Sequence, residues 1–136
     1  MSSFIVQDKV SSYKLDVSFD TTVSALVDDS GTGKTFLFKL LLSYSEKKGI
    51  KTFLCNSTLA DKPKDILLDL CKTSDLILLD NADLYLDNDF LNDIKALGKQ
   101  TIICIKNTYK LNMQGVGIYC LSYENRELKT MKLSRG

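Results

Sequence analysis

The first clear pattern along the chain is a run in which apolar and polar residues alternate. Tyr13, Leu15, Val17 and Phe19 are separated by Lys14, Asp16 and Ser18. Successive side chains of a strand point to opposite faces, so this alternation predicts a half-buried strand, most simply an antiparallel one. The apolar run over residues 22–27 predicts a second, buried strand, which leads directly into a glycine-containing loop.

After this loop the apolar positions recur with a helical period. Between residues 34 and 48 the predicted buried side consists of Phe36, Leu37, Leu40, Leu41 and Tyr44. A narrow polar stripe is formed by Lys39, Ser43, Glu46 and Lys47. Gly49 follows, and glycine is the residue most often found just past a helix end. The pattern predicts an amphipathic helix that starts where the loop ends.

Strands and helices continue to alternate along the rest of the chain. Strands are predicted over residues 51–55, 76–80 and 101–105, and a closing hairpin over residues 116–122 and 127–133. A short helix is predicted to open near Pro63 and to bury Ile66, Leu67, Leu70 and Cys71. Another is predicted to begin at residues 87–89, to bury Phe90, Leu91, Ile94 and Leu97, and to end at Gly98. This order predicts an α/β fold with a mostly parallel sheet, helices on both faces and a ligand site at the carboxyl ends of the strands.

Length and composition narrow the class of protein. Of the 136 residues, 44% are hydrophobic and 26% are charged, which predicts a single globular domain over residues 1–136. No apolar run approaches the roughly 20 residues that a bilayer-spanning helix needs, and the first residues lack the pattern of a signal segment. We therefore expect a cytoplasmic protein that does not contact a membrane.

Cysteine and histidine usage excludes several kinds of site. The four cysteines (Cys55, Cys71, Cys104 and Cys120) show no CxxC spacing, and three of them fall in strand-like apolar runs. This favours reduced core residues over a metal or redox site. The chain has no histidine, which excludes an imidazole general base, a dyad that contains histidine and an imidazole zinc site.

Charge is unevenly distributed although the net charge is only +1. Residues 61–98 carry nine acids and four bases, whereas residues 99–136 carry seven bases and two acids. The acidic middle suits a site near a divalent cation, and the basic end could meet an anionic partner. Two solvated faces that partly neutralise each other explain the same distribution. Because the basic residues are dispersed and no aromatic stacking motif accompanies them, nucleic-acid binding is only weakly supported.

The loop between the second predicted strand and the first predicted helix has the chemistry of a phosphate site. Glycines at positions 31 and 33 allow its backbone to curl, so that N–H groups at the helix N-terminus can surround phosphate oxygens. Lys34 can reach the β- and γ-phosphates. Thr35 offers a hydroxyl to Mg²⁺, and Asp80, at the end of a predicted strand, can hold the same ion through water.

These residues resemble the P-loop NTPase family, in particular a minimal core of the AAA-type ATPases. Gly33-Lys34-Thr35, preceded by Ser30-Gly31-Thr32, matches the end of the Walker A motif, and Leu76-Ile77-Leu78-Leu79-Asp80 matches Walker B. The resemblance covers residues 22–107 and implies a three-layer P-loop fold with antiparallel edge strands at the termini. It implies ATP or ADP bound with Mg²⁺ by Ser30, Gly31, Thr32, Gly33, Lys34, Thr35 and Phe36. Thr35 and Asp80 would be the metal residues, and Lys34, Asp83 and Asn107 the catalytic ones.

The sequence departs from the family pattern at both motifs. Asp28 replaces the first Walker A glycine and Asp29 follows it, and two carboxylates near a phosphate site weaken anion binding unless they point away or neighbour a cation. Asn81 stands where these ATPases usually have a glutamate, and an amide cannot take a proton from water. Asp83 could substitute for it, or could be a surface acid that caps a turn. We therefore expect slow or absent intrinsic hydrolysis.

Other candidate residues rest on single matches. Asn107, after the fourth predicted parallel strand, is similar to the polar sensor residue of AAA-type ATPases, but a turn-forming asparagine explains it equally well. Arg126 and Arg135 are the only arginines available as a finger. Guanine-reading, transporter-signature and kinase-lid motifs are absent. The sequence thus predicts an ATP-binding module whose nucleotide state controls contact with a protein partner or with copies of itself. A true ATPase completed by a partner and a scaffold that no longer binds nucleotide are the alternatives.

Overall fold

The computed structural model describes residues 3–27 and 33–135, and it shows a mixed α/β fold with one sheet and three α-helices. The strands are β1 (Phe4–Val10), β2 (Tyr13–Phe19), β3 (Val23–Val27), β4 (Thr52–Cys55), β5 (Leu76–Leu79), β6 (Gln100–Ile105), β7 (Gly117–Glu124) and β8 (Glu127–Arg135). The helices are α1 (Lys34–Lys48), α2 (Lys64–Lys72) and α3 (Asn88–Leu97). The predicted alternation of strands and helices is confirmed. Strand β1 was not predicted.

The eight strands lie in the order β1-β2-β8-β7-β3-β6-β5-β4. Strands β3, β4, β5 and β6 pair in parallel, as do β3 with β7 and β2 with β8. Only the β1–β2 and β7–β8 pairs are antiparallel among the described strands. The sheet is therefore mostly parallel, as predicted. One expectation needs correction: β1 is an antiparallel edge strand, but the β7–β8 hairpin lies inside the sheet, because both of its strands have outer neighbours.

Residues that cap helices set the bounds of α1 and α3. Gly33 and Gly49 flank α1 in left-handed conformations, with φ of 91° and 72°, which glycine adopts without the steric cost of a side chain. The Asp87 side chain accepts a hydrogen bond from the Phe90 N–H at 2.8 Å and so caps α3. Gly98 ends the same helix with φ of 68°. These residues fix where the parallel strands connect to their helices.

Two apolar clusters contain the helices on opposite sides of the parallel strands. Leu76 and Leu78 of β5 belong to the cluster that holds α1, whereas Ile77 and Leu79 belong to the cluster that holds α2 and α3. Successive residues of a strand point to opposite faces, so α1 covers one face and the other two helices cover the second. Most of the predicted core is buried, with Phe38 and Ser45 added on α1. Phe36, Tyr44 and Leu97 are only partly buried.

The predicted buried face of α2 is too wide. Leu67 and Cys71 are fully buried, but Ile66 is 45% exposed and Leu70 is 40% exposed. Helix α2 has nine residues and contacts α3 and β4, and β4 is the last strand of the sheet. A short helix above a sheet edge can bury only one stripe of side chains. The second apolar stripe of α2 is therefore left at the surface.

The basic end of the chain is partly neutralised by acids on neighbouring strands. The Lys132 ammonium lies 2.8 Å from the Asp20 carboxylate, and Lys14 and Lys129 both pair with Glu127. The hydrogen bond from Lys132, followed by that from the Tyr119 hydroxyl, lowers the pKa of the Asp20 carboxyl. Among the bases of the terminal segment, Lys129 therefore pairs within its own strand and Lys132 pairs with an acid beyond β2. In the part of the chain that the structure describes, no helix has the length and apolar character needed to cross a bilayer.

Candidate functional site

The residues predicted to bind phosphate and metal meet at one edge of the parallel sheet. Strands β3, β6 and β5 run side by side in the same direction, so their carboxyl ends lie together. Helix α1 begins shortly after β3, Asp80 directly follows β5, and Lys106 directly follows β6. The fold thus brings together a helix N-terminus, a carboxylate and a second lysine that are far apart in sequence.

The described part of the predicted phosphate loop is its last residue, Gly33, together with the first turn of α1. Gly33 has φ of 91°, and its carbonyl accepts the Leu37 N–H at 2.7 Å, which starts the helical hydrogen-bond pattern. Lys34 and Thr35 occupy the first turn, where the helix dipole favours anions. The predicted nucleotide-binding residues Ser30, Gly31 and Thr32, and the two aspartates before them, lie outside the described residues.

Thr35 and Asp80 are joined directly. The Thr35 hydroxyl donates a hydrogen bond of 2.9 Å to Oδ2 of Asp80, although the two residues are 45 positions apart in sequence. The Asp80 main chain is held on both sides, because its N–H donates to the Cys55 carbonyl at 2.8 Å and its carbonyl accepts the Tyr85 hydroxyl at 2.7 Å. Asp80 is only 5% exposed. The carboxylate is therefore fixed beside the first turn of α1.

A small cavity of about 210 Å³ surrounds this pair. Its lining residues are Gly33, Lys34, Thr35, Asp80, Asn81, Asp83, Cys104, Ile105 and Lys106. Burial, followed by the Asp80 charge, raises the pKa of the Cys104 thiol well above its usual value, so this cysteine stays a neutral thiol rather than a thiolate nucleophile or metal ligand. The charged residues that line the cavity are thus two lysines, Lys34 and Lys106, and two aspartates, Asp80 and Asp83.

The other cysteines agree with the predicted structural role. Cys55 and Cys71 are buried, Cys120 is partly buried, and all four thiols are free. Burial raises the pKa of the Cys55 thiol, and burial followed by proximity to Cys55 raises that of Cys71 to about 12. Within residues 3–27 and 33–135, no cluster of three or more carboxylate, thiol or imidazole side chains could hold a metal ion.

Asp83 is engaged with the main chain after β6. Its carboxylate oxygens accept the Lys106 N–H at 2.9 Å and the Asn107 N–H at 3.2 Å. Asp83 sits in a single 3₁₀ turn, Ala82–Leu84, that follows Asp80. A carboxylate that accepts two main-chain hydrogen bonds ties this turn to the end of β6. The geometry favours the structural interpretation of Asp83 over a role as a proton acceptor.

We expect Asp83→Asn to lower stability while leaving any nucleotide hydrolysis in place. One of the two N–H groups loses a charged acceptor, which at an exposed site costs about 1 kcal/mol. The measurement is the urea midpoint at an unchanged slope, with Asp93→Asn on the exposed side of α3 as the control. A loss of phosphate release without a loss of stability would instead assign Asp83 a catalytic role.

The backbone conformation at position 81 accounts for the asparagine found where the resembled ATPases usually have glutamate. Its backbone has φ of 52° and ψ of 43°, the left-handed region, and asparagine is one of the few residues with a side chain that enters this region readily. Asn81 also lines the cavity of Thr35 and Asp80. The amide is therefore placed where it could hold a water molecule, and the backbone conformation favours asparagine over glutamate.

Two predicted site residues lie beside this cavity rather than in it. Asn107 is exposed, accepts the Tyr109 N–H at 3.1 Å and lines a neighbouring cavity with Asp83 and Leu86. This hydrogen bond is that of a turn-forming asparagine, and a sensor role for Asn107 stays a prediction. Phe36 points into a separate apolar cavity. The candidate arginine Arg126 lies 5.7 Å from the centroid of the Tyr13 ring, which lines this apolar cavity, and it is not among the described residues that line the Lys34 cavity.

Lys106 is a charged residue that lines the Lys34 cavity but that the sequence analysis did not predict as a site residue. It immediately follows β6, between Ile105 and Asn107, the predicted sensor residue. The available signal was its position at the carboxyl end of a parallel strand, since residues there face the ligand edge. Lys106 therefore adds a second lysine to the lining of the cavity.

Comparisons with known proteins find a similarity in backbone structure but no match in sequence. No family model and no curated protein matches the sequence. Among solved structures, the chain is similar to a protein described as a DNA replication initiation factor, with 19% identity and a TM-score of 0.48. The alignment covers 65% of this chain and 32% of that one, so this chain spans about a third of its length. At this identity and TM-score, the likeness assigns no activity to the chain.

Proposed function

We propose that this chain is a P-loop protein with the three-layer core of the AAA-type ATPases, which binds ATP or ADP together with Mg²⁺. The observation that carries the proposal is the hydrogen bond from Thr35 to Asp80. It joins the end of the Walker A match to the end of the Walker B match, in a cavity that Lys34 also lines. If the glycine-rich turn occurred by chance and bound no ligand, a contact between the residue that follows it and a fixed carboxylate would not be expected.

The polyphosphate would bind at the N-terminus of α1. Lys34 and Lys106 line this cavity and would supply positive charge, and the dipole of α1 would favour an anion at its N-terminus. Gly33 allows the backbone to bend sharply into the helix. Together these groups would compensate the phosphate charge, and the acids at positions 28 and 29 would reduce the net gain.

Thr35 and Asp80 have the donor chemistry that Mg²⁺ prefers, a hydroxyl and a carboxylate oxygen. Magnesium commonly keeps several waters and takes few protein ligands when a phosphate supplies others, which agrees with two protein donors. When bound, the ion supplies positive charge that neutralises the phosphate oxygens. The protein's own contribution is to hold the two oxygen donors beside Lys34.

Hydrolysis by the chain alone would be slow or absent. Asn81 can hold a water but cannot accept its proton, and Asp83 is tied to the main chain of Lys106 and Asn107. A protein that binds ATP and hydrolyses it slowly is suited to a nucleotide-dependent contact with a partner or with copies of itself. A partner could then supply the missing catalytic group.

The test is calorimetric titration of the chain with ATP and with ADP, first with Mg²⁺ and then with a chelator. We expect binding that weakens about tenfold or more when Mg²⁺ is removed. In Asp80→Asn, whose amide oxygen can still accept the Thr35 hydroxyl, this dependence on Mg²⁺ should largely disappear. If the unmodified chain binds neither nucleotide, the P-loop is retained only as an interaction scaffold.

A further inference from the structure

A second cavity, of about 470 Å³, lies next to the proposed phosphate site. Gly33 lines both cavities, so they adjoin at the start of α1. The second cavity is within the usual range of ligand pockets, about 300–1,000 Å³. It is formed where α1 meets β2, β7 and β8, on the opposite side of Gly33 from Asp80 and Lys106.

Aromatic rings dominate the lining of this cavity. Tyr13 contacts Phe36 edge-to-face, with ring centroids 4.7 Å apart, and Tyr13 and Tyr123 lie 6.1 Å apart at an interplanar angle of 40°. Leu121 and Leu128 form the apolar floor. Tyr123 is 50% exposed, so part of its ring is free to be covered by a ligand. The three rings form a continuous apolar surface that opens beside the loop.

The two cavities differ in charge. None of the described residues that line the aromatic cavity is charged, and the charge nearest to its rings is the Arg126 guanidinium, 5.7 Å from the centroid of Tyr13. The adjacent cavity is lined by Lys34, Lys106, Asp80 and Asp83. A nucleoside triphosphate has the same division, because it combines a highly charged polyphosphate with a neutral, planar base. A base binds to proteins by stacking on aromatic side chains, and this contact tolerates any base because each has a π face.

We propose that the aromatic cavity of Tyr13, Phe36 and Tyr123 holds the nucleobase of the nucleotide whose phosphates occupy the Lys34 cavity. This inference rests on the proposed function and adds how the rest of the ligand is recognised. The described lining residues include no carboxylate or amide side chain that could read the edge of a base. The contact that we propose is stacking on the ring faces, with the half-exposed Tyr123 as the ring that the base covers.

The experiment compares ATP with inorganic tripolyphosphate, each with Mg²⁺, on the full chain and three variants. Tyr123→Ala removes the half-exposed ring, and Tyr123→Phe retains it. Tyr109→Ala removes an equally large ring that is 74% exposed and lines a different cavity. We expect Tyr123→Ala to weaken ATP at least about fivefold and to change tripolyphosphate affinity less than about twofold. Tyr123→Phe and Tyr109→Ala should both bind ATP like the unmodified chain.

Three other outcomes would contradict the inference or the proposed function. If ATP affinity in Tyr123→Ala stays within twofold of that in Tyr109→Ala, the base does not bind on these rings, and the proposed nucleotide function stands without it. If ATP and tripolyphosphate weaken equally, the ring supports the phosphate loop and the inference is overturned. If the unmodified chain binds neither ligand, the proposed function fails and the base site fails with it. Circular dichroism of each variant identifies loss of fold as a separate cause.

Discussion

Replacing Lys34 by alanine is expected to weaken the binding of magnesium ATP by at least about 30-fold. Truncating one partner of a desolvated, hydrogen-bonded charge pair costs about 2–5 kcal/mol, and Lys34 lines the cavity that would take the phosphates. Adenosine, which has no phosphate, should lose no affinity. The measurement is calorimetric titration of both ligands in the same buffer.

Lys39→Ala is the matched control for this variant. Lys39 lies on the same helix, is exposed and has the same charge, but it points away from the cavity. Both variants should unfold within about 1 kcal/mol of the unmodified chain, as most surface substitutions do. Equal ATP affinity in Lys34→Ala and Lys39→Ala would remove the phosphate site from the proposal. Phosphate release that survives Lys34→Ala would identify the activity as contamination.

Replacing Asn81 by glutamate is expected to raise Lys34-dependent phosphate release at least about tenfold. A positioned general base contributes about 10²–10⁴ in rate, and the side chain at position 81 lines the same cavity as Thr35 and Asp80. The gain should be smaller than that full factor because Asn81 has φ of 52°, and a residue other than glycine or asparagine is strained there by about 1–2 kcal/mol. Phosphate release at saturating ATP and the urea midpoint together separate the two effects.

Asn81→Gln separates chemistry from conformation. Glutamine has the length of glutamate and the same backbone strain, but its amide cannot accept a proton. We therefore expect Asn81→Gln to lose as much stability as Asn81→Glu without any gain in phosphate release. Equal release in both variants would show that the absent carboxylate is not what limits turnover, and our account of slow hydrolysis would then be wrong.

The sequence predicted those elements whose residues carry a local signal. Helix α1 was predicted at its observed bounds, Lys34–Lys48, because a glycine stands at each end of a long periodic run. Strand β1 was missed because the exposed Ile5 and the inward Asp8 interrupt its alternation. The burial of Ile66 and Leu70 was predicted wrongly, since sequence periodicity does not reveal that α2 lies above the sheet edge.

In the site, too, the residues that carry a local sequence signal were the ones predicted. Thr35 and Asp80 were expected to be neighbours because both follow strands of one parallel sheet, and the structure places them in hydrogen-bond contact. The aromatic cavity could not have been predicted. Tyr13 and Tyr123 come together because β8 inserts between β2 and β7, and no local pattern specifies that strand order. The proximity of these two rings therefore depends on tertiary structure alone.

The placement of β8 also constrains how the chain folds. The β1–β2 hairpin pairs with the rest of the sheet through β8, with Lys14 opposite Glu127. During synthesis this hairpin leaves the ribosome long before β8, the last described strand. Until β8 is made, the edge of β2 that pairs with it has no partner strand. Pairing between distant segments slows folding and prolongs exposure to aggregation, so the nascent protein is most vulnerable just before its β8 segment emerges.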